Sequence, residues 1–403
     1  MKKKCLLLLP RPIFPPVCGY ALKNKNLVRI LSMKYELMVV AITESGIGDE
    51  EKAYYRDLGV SCMEYKISKI KSLFQCFLGL FSDRPLQVCY YYDKELQEKI
   101  CRFSETQDIL ISALIRTREY LTGLEQKKTV VFDMVDSIAL NYERSRKSTR
   151  SGFWKLLYGL EGKRLRVYEQ KYIERSSVTY LFNQEEQVYW EKYGNVKLLP
   201  HGADEKLFSY RNRSSEYAES VVFLGKMNYQ PNVDAILWYM KNVHPRIKDK
   251  VPLLIVGAYP TKEICKCAEE IGNVTVTGLV EDPYFYANSA LAMIAPMQTG
   301  GGIQNKVLEG MALGKVNVVS SLAAKPILGT ENMRNIIIAD TPDSYVQILS
   351  EMAESSGSER NNPEKYEKIG RAARELIQNN YTWEKYGEKY IEGIEESENT
   401  MHE

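Results

Sequence analysis

Short apolar runs alternate with amphipathic stretches along this chain, and that rhythm restricts the fold more than any other feature. In the first half the runs are Cys5–Leu9, Leu37–Ile42, Leu86–Tyr91, Ile109–Leu114, Thr129–Asp133 and Ser177–Phe182. Helical patterns near Leu22–Met33, Ile70–Phe81 and Asp93–Phe103 lie between them. A strand that is apolar on both faces needs cover on both faces, so strand and helix in alternation predict a parallel sheet clothed by helices. The second half repeats the pattern with Val221–Leu224, Leu253–Val256, Val274–Thr277, Ala290–Pro296, Val316–Ser320 and Asn335–Ala339. Glu364–Asn379 and Trp383–Glu396 read as closing helices, with a polar loop at Ser355–Pro363 before them. The fold class is therefore α/β, with two doubly wound, Rossmann-like domains. A chain of 403 residues is too long for one ordinary core. Pro200–Asp204 ends the first domain, and polar Arg211–Glu219 reads as a hinge.

Glycine marks the strand tips of the second half. Gly225, Gly257 and Gly278 each follow an apolar run directly, and Gly300, Gly301 and Gly302 follow another. In a doubly wound sheet ligands gather at the carboxyl ends of the strands, where a glycine lets the backbone approach them. The triple glycine leads into a helical pattern from Asn305 to Leu313, so its amides lie at the positive end of a helix dipole, which suits a phosphate. Lys306 and Glu309 are three apart on one face of that helix. They suit a phosphate and a sugar diol respectively, or an ordinary intrahelical ion pair.

Other chemistries are disfavoured. The net charge of +2 supplies no field for nucleic acid. Three histidines, His201, His244 and His402, argue against a multi-His metal site or a His-based triad. The eight cysteines contain no C-x-x-C and read as reduced packing residues of a cytoplasmic protein. No D-x-D occurs, so no metal is expected, and no cofactor is called for. The turn after the first strand lacks G-x-G-x-x-G, which weighs against a dinucleotide-dependent dehydrogenase. Gly310–Val316 is one residue short of a P-loop and lacks its Ser/Thr. Met1–Leu9 resembles a signal-peptide opening, but Pro10 cuts the apolar run short, so a buried first strand is expected. No run approaches the length needed to span a bilayer.

Two further stretches carry open readings. Asp133 and Asp136 leave a strand end, where they suit an acceptor hydroxyl or a helix cap. From Arg144 to Arg175 ten Lys/Arg stand against three Glu, with Phe153, Trp154, Leu156, Leu157 and Tyr158 interleaved. That mixture suits an anionic lipid surface or a solvated helix face.

Taken in order, Phe223–Lys226, Val256–Gly257, Gly278–Asp282 and the glycine run through Lys306 to Glu309–Ala312 resemble the donor domain of the retaining glycosyltransferases of family 4 (glycosyltransferase group 1). The likeness is greatest to the subgroup found in bacterial polysaccharide clusters and spans about Val221 to Ser320. Pro10–Gly19, Asp133–Asp136 and Tyr381–Glu384 are weaker echoes.

The resemblance implies a GT-B fold, two doubly wound domains facing across a cleft. It divides the chain into an acceptor domain at 1–203, a nucleotide-sugar domain at 204–379 and a helix at 380–403 crossing back to the first. Glu309 would then hold the ribose, Lys306 and Lys226 the diphosphate, and Gly300–Gly302 its oxygens or the sugar. Val280 would sit against the base. Gly225 and Gly257 would line the donor, Gly19 would complete the phosphate pocket, and Asp136 would contact the acceptor. The partners implied are a UDP- or GDP-sugar and a saccharide or lipid-linked acceptor, with peripheral contact at the inner membrane surface. Many relatives carry a second glutamate eight positions before the ribose-binding one. That position is Gly301, so the motif does not name the sugar. A nucleotide-sugar epimerase of the same fold and a non-catalytic nucleotide-sugar-binding partner are the alternatives.

Overall fold

The structure, a computed structural model, describes residues 2–16, 18–149, 151–300, 302–356 and 363–401. The chain forms two compact units. One runs to Pro200 and takes the chain back from Tyr386, and the other is His201–Lys385.

The first unit is built on a seven-stranded parallel sheet. Its strands are β1 (Lys4–Leu9), β2 (Glu36–Thr43), β3 (Ser61–Lys66), β4 (Ile109–Ala113), β5 (Thr129–Val135), β6 (Val178–Leu181) and β7 (Val196–Leu198), in the order β3-β2-β1-β4-β5-β6-β7. The apolar run near the N-terminus is the central strand β1, and Cys5 to Leu9 are fully buried between β2 and β4. Such a run suits a strand covered on both faces.

Two expectations change here. Leu86–Tyr91 is a short helix rather than a strand, with Pro85 at its N-cap. The run is buried on one side only, at Val88 and Cys89, which matches a helix lying on a surface. Conversely, Ser61–Lys66 has no apolar run, yet it forms β3 at the sheet edge, where half-burial demands none.

The second unit repeats the plan with six parallel strands: β8 (Val221–Leu224), β9 (Leu253–Val256), β10 (Val274–Gly278), β11 (Ala292–Ala295), β12 (Asn317–Val319) and β13 (Ile337–Ile338). Their order is β10-β9-β8-β11-β12-β13. Winding starts at a middle strand, moves outward, then returns to the other side. The order therefore reverses between β1 and β4 in one unit and between β8 and β11 in the other, and a crevice opens at such a point. The expected hinge Arg211–Glu219 is laced onto the second unit instead. The Ser214 N–H donates to Ser289 Oγ at 2.8 Å, and Asn288 Nδ2 donates to the Asn212 carbonyl at 3.0 Å.

From Tyr386 onward the last helix, Trp383–Met401, packs within the first unit. Tyr390 stacks on Tyr180 with ring centroids 4.5 Å apart, and the Tyr180 hydroxyl donates to the Tyr390 carbonyl at 2.7 Å. Ion pairs Lys34–Glu395 and Lys3–Glu398 close its edges at 2.7 and 2.8 Å.

Candidate functional site

In the second unit the turns after β8, β9 and β10 are tied to one another. The Gly225 N–H donates to the Val256 carbonyl at 3.1 Å, the Gly257 N–H to Gly278 at 3.2 Å, and the Met227 N–H to Ala258 at 2.8 Å. Gly225 and Gly257 have φ of +152° and +148°. A Cβ on Gly257 would collide with the Gly225 carbonyl oxygen, and one on Gly225 would come within 2.6 Å of Asn232 Nδ2. Conformation and space both require glycine at these two tips.

Asn232 is the joint of the site. It lies in the first turn of the helix Gln230–Asn242, which has proline in its first turn, and it is buried. Its Nδ2 donates to the Lys226 carbonyl at 3.0 Å, and its Oδ1 accepts from Lys306 Nζ at 2.6 Å. One amide thus fixes the turn after β8 to the helix after β11, across the switch point.

Lys306 enters the crevice from the first turn of the helix Asn305–Ala312, whose N-cap, Gln304, makes no side-chain capping bond. Its ammonium is buried, 3.8 Å from Met297 Sδ and 4.8 Å from the Phe223 ring centroid. Amide, thioether and ring can all solvate a cation, but none carries a charge. Burial pulls the ammonium down to about 8, opposed by Glu309. Among the described residues no Lys306–Glu309 salt bridge forms, so the intrahelical ion-pair reading does not hold.

Glu309 turns instead toward the Tyr284 hydroxyl. Burial raises the Glu309 carboxyl, with Tyr284 and Lys306 holding it down and Asp204 adding to the rise. Tyr284 is placed by the helix Pro283–Ser289, whose N-cap Asp282 accepts from the Tyr284 and Phe285 N–H groups at 3.1 and 3.3 Å. Asp282 also accepts from the Tyr210 hydroxyl at 2.5 Å.

The remaining predicted residues fall as follows. Lys226 is exposed, with its ammonium 5.4 Å from the Tyr259 ring centroid. Gly300 lies beside Pro231, and Val280 packs half-buried against the core. Gly302 is buried before the Lys306 helix, and Gly301 lies outside the described residues.

Gly19 and Asp136 belong to the first unit. Gly19 opens the helix Gly19–Lys34, after a loop anchored by Glu51, which accepts from the Ile13 and Phe14 N–H groups at 3.1 Å each. Asp136 follows β5, and its carboxyl is pushed up to about 7 by burial and by Glu186, with Arg144 opposing. The helix cap expected from the aspartates is Ser137, whose Oγ accepts from the Leu140 N–H at 3.2 Å. Asp133 is a fully buried partner of Lys23 within the sheet.

Phe223, from the Phe223–Lys226 block, shapes the crevice together with Asn232, Met297 and Tyr284. Of the last three only Asn232 left a signal in the sequence, as a polar residue just after the proline that starts a helix.

Residues 218–355 match the family model described as "Glycosyl transferases group 1". By sequence, no curated protein matches the chain. Solved structures match over nearly its whole length. Anabaena Alr3699/HepE, solved in complex with UDP, is 12% identical with a TM-score of 0.66, covering 98% of this chain and 100% of that one. Sucrose-phosphate synthase from Thermosynechococcus elongatus is 14% identical with a TM-score of 0.64, covering 97% and 98%. The α,α-trehalose 6-phosphate synthase of Burkholderia multivorans is 10% identical with a TM-score of 0.64, covering 99% and 100%. At these identities the likeness shows the fold, the GT-B type of two doubly wound α/β domains.

Proposed function

We propose that the chain is a retaining glycosyltransferase that moves a hexose from a nucleoside diphosphate to a saccharide or lipid-linked acceptor. The observation that carries this reading is Lys306. It is a buried cation at the switch point of the second sheet, held by a neutral amide, beside two turns where only glycine fits. A charge buried without a charged partner is costly, and a diphosphate is the partner that would offset it. The segment holding it is the one matched by the group 1 model.

In this reading Lys306 and Lys226 stand against the diphosphate, Glu309 accepts hydrogen bonds from the ribose diol, and Val280 lies against the base. The Gly300–Gly302 amides take phosphate or sugar oxygens. Neutralisation is assigned to fixed lysines and a helix N-terminus in place of a divalent cation. The bond from the anomeric carbon to the β-phosphate oxygen breaks as the acceptor oxygen bonds that carbon from the same face. The acceptor proton leaves with the diphosphate, and Asp136 is assigned the acceptor-side polar contact. Anabaena Alr3699/HepE has been solved in complex with UDP and with UDP-glucose, which makes UDP-glucose the first donor to try and GDP-sugars the second. Synthesis of cell-envelope polysaccharide at the cytoplasmic face is the setting that fits a lipid-linked acceptor.

The test is a thermal-shift screen of UDP- and GDP-sugars followed by product analysis with acceptor. A ligand that binds only the folded chain raises its melting temperature by an amount that grows with the logarithm of its concentration relative to its Kd. A shift with one base, together with transfer retaining the anomeric configuration, is expected. No shift with any nucleotide-sugar would overturn the reading.

A further inference from the structure

The helix Lys69–Gly79 is amphipathic, but it is mounted the wrong way round for a core. Its apolar residues Ile70, Leu73, Phe74, Phe77, Leu78 and Phe81 recur at the spacing of one helical stripe, continuing just past its end, and all are exposed, Ile70 and Phe81 by more than four-fifths (83% and 81%). The residues it buries are Ser72 and Gly79. A second stripe lies on the helix Gly152–Glu174, where Phe153, Leu156, Leu160 and Val167 are likewise exposed at helical spacing.

The two helices are joined. Arg164 donates to the carbonyls of Gly79 and Leu80 at 3.3 and 2.8 Å, and Glu161 accepts from the Leu86 N–H at 2.8 Å. Soluble proteins seldom leave so much clustered apolar surface without a use.

Cations accompany the stripes on the same helices and on the neighbouring helix Ile138–Ser148. Lys69, Arg146, Lys147, Lys155 and Lys163 have no ion-pair partner among the described residues, and Lys155 and Lys163 lie on the second helix itself. We propose that this face of the first unit is a docking surface for an anionic lipid bilayer. The phenylalanines and leucines would enter the headgroup–acyl boundary while the lysines meet lipid phosphates. A bilayer offers negative charge and apolar depth in one layer, which this combination requires. A second copy of the chain fits it less well, because a two-fold pairing sets these cations against themselves. The inference stands apart from the sugar-transfer reading, although it would bring that unit to a lipid-linked acceptor.

The test is co-sedimentation of the full chain with vesicles of phosphatidylcholine alone and of phosphatidylcholine mixed with phosphatidylglycerol. UDP thermal shift and light scattering are run on every variant. The chain is expected to pellet with the anionic vesicles and to be released by salt. Phe74→Ser/Phe77→Ser should stay in the supernatant, and Lys155→Glu/Lys163→Glu should bind about tenfold more weakly or worse, both with the wild-type UDP response. Because the substituted side chains are exposed, a retained melting transition shows that the variants fold even if UDP itself does not bind. The proposal is overturned if the chain ignores phosphatidylglycerol vesicles or if the serine variant binds them as well as wild type. It is equally overturned if light scattering shows a dimer that the serine variant dissolves while vesicle binding is absent.

Discussion

Both sheets are wound in the same order, and each unit buries one lysine close to where the winding reverses. In the first unit Lys23, on the helix after β1, meets the carboxylate of Asp133 on β5, and both side chains are sealed from solvent. In the second unit Lys306 meets an amide, a thioether and a ring. A buried ion pair is electrically complete, and its role is to hold elements together. A buried ammonium with uncharged neighbours has charge left for a ligand. The same winding has thus produced a joint in one place and, on the proposed function, a receptor in the other, and the difference is a single partner's charge.

The largest effect that could break this comparison is on stability. Lys23→Met leaves Asp133 buried with only the Tyr390 hydroxyl at 3.3 Å and no charged partner, and should lower the free energy of unfolding by about 3–5 kcal/mol, read by urea denaturation. Adding Asp133→Leu should restore most of that loss. If the single variant is as stable as wild type, the pair is not a joint.

Lys306→Met should do the reverse. It removes a desolvated charge, so the melting temperature at pH 7 should hold or rise, while UDP affinity falls by about 1.5–3 kcal/mol, the value of a charged hydrogen bond. Loss of stability without loss of affinity would place Lys306 with Lys23.

The pH dependences of the two units should also part. With the Lys306 ammonium drawn down to about 8, free protein above that pH carries a neutral amine, and a bound diphosphate favours the cation. UDP binding near pH 8–9 should therefore take up a proton and weaken as pH rises, as calorimetry in buffers of different ionisation enthalpy would show. In the first unit, burial raises the carboxyls of Asp136 and Glu169 to about 7 and about 8. A raised carboxyl stays protonated in the fold after the unfolded chain has ionised. Its stabilising contribution is present below the unfolded value and is lost as pH rises toward 7 and 8. Asp136→Asn should accordingly raise the melting temperature more at pH 8 than at pH 5.

The smallest effect is sharpest in meaning. Tyr284→Phe removes the hydroxyl beside Glu309 and should cost about 1 kcal/mol or less of UDP affinity. If the hydroxyl acts by orienting the carboxylate that the proposed function assigns to the ribose, UDP should lose more affinity than inorganic pyrophosphate, which has no ribose.

The sequence made the sheets legible because buried parallel strands must be apolar throughout, and the glycines at 225 and 257 legible because nothing else fits those tips. Lys306 and Glu309 were visible as a pair, but their partners were not. Asn232 and Tyr284 lie 74 and 25 positions away along the chain, brought close only by the winding (306 − 232 and 309 − 284). Asp133 was misread for a related reason. A carboxylate near a strand end looks available until its partner, 110 positions earlier, is known to be buried against it. The Leu86–Tyr91 run failed on another ground: five apolar and aromatic residues broken by Gln87, after a proline, suit a short surface helix as well as a strand.

The path of the last helix has a consequence for how the protein is made. Residues from Tyr386 onward supply part of the first unit's packing against Tyr180, Lys34 and Lys3. On the ribosome that unit emerges first and must wait, one helix short, while His201–Lys385 is synthesised, on the order of ten seconds or more at usual rates. During that interval the Tyr180 side of its sheet is uncovered. The second unit thus folds as an insertion into an unfinished first one. Truncation before Tyr386 would strip packing from the unit that was synthesised first.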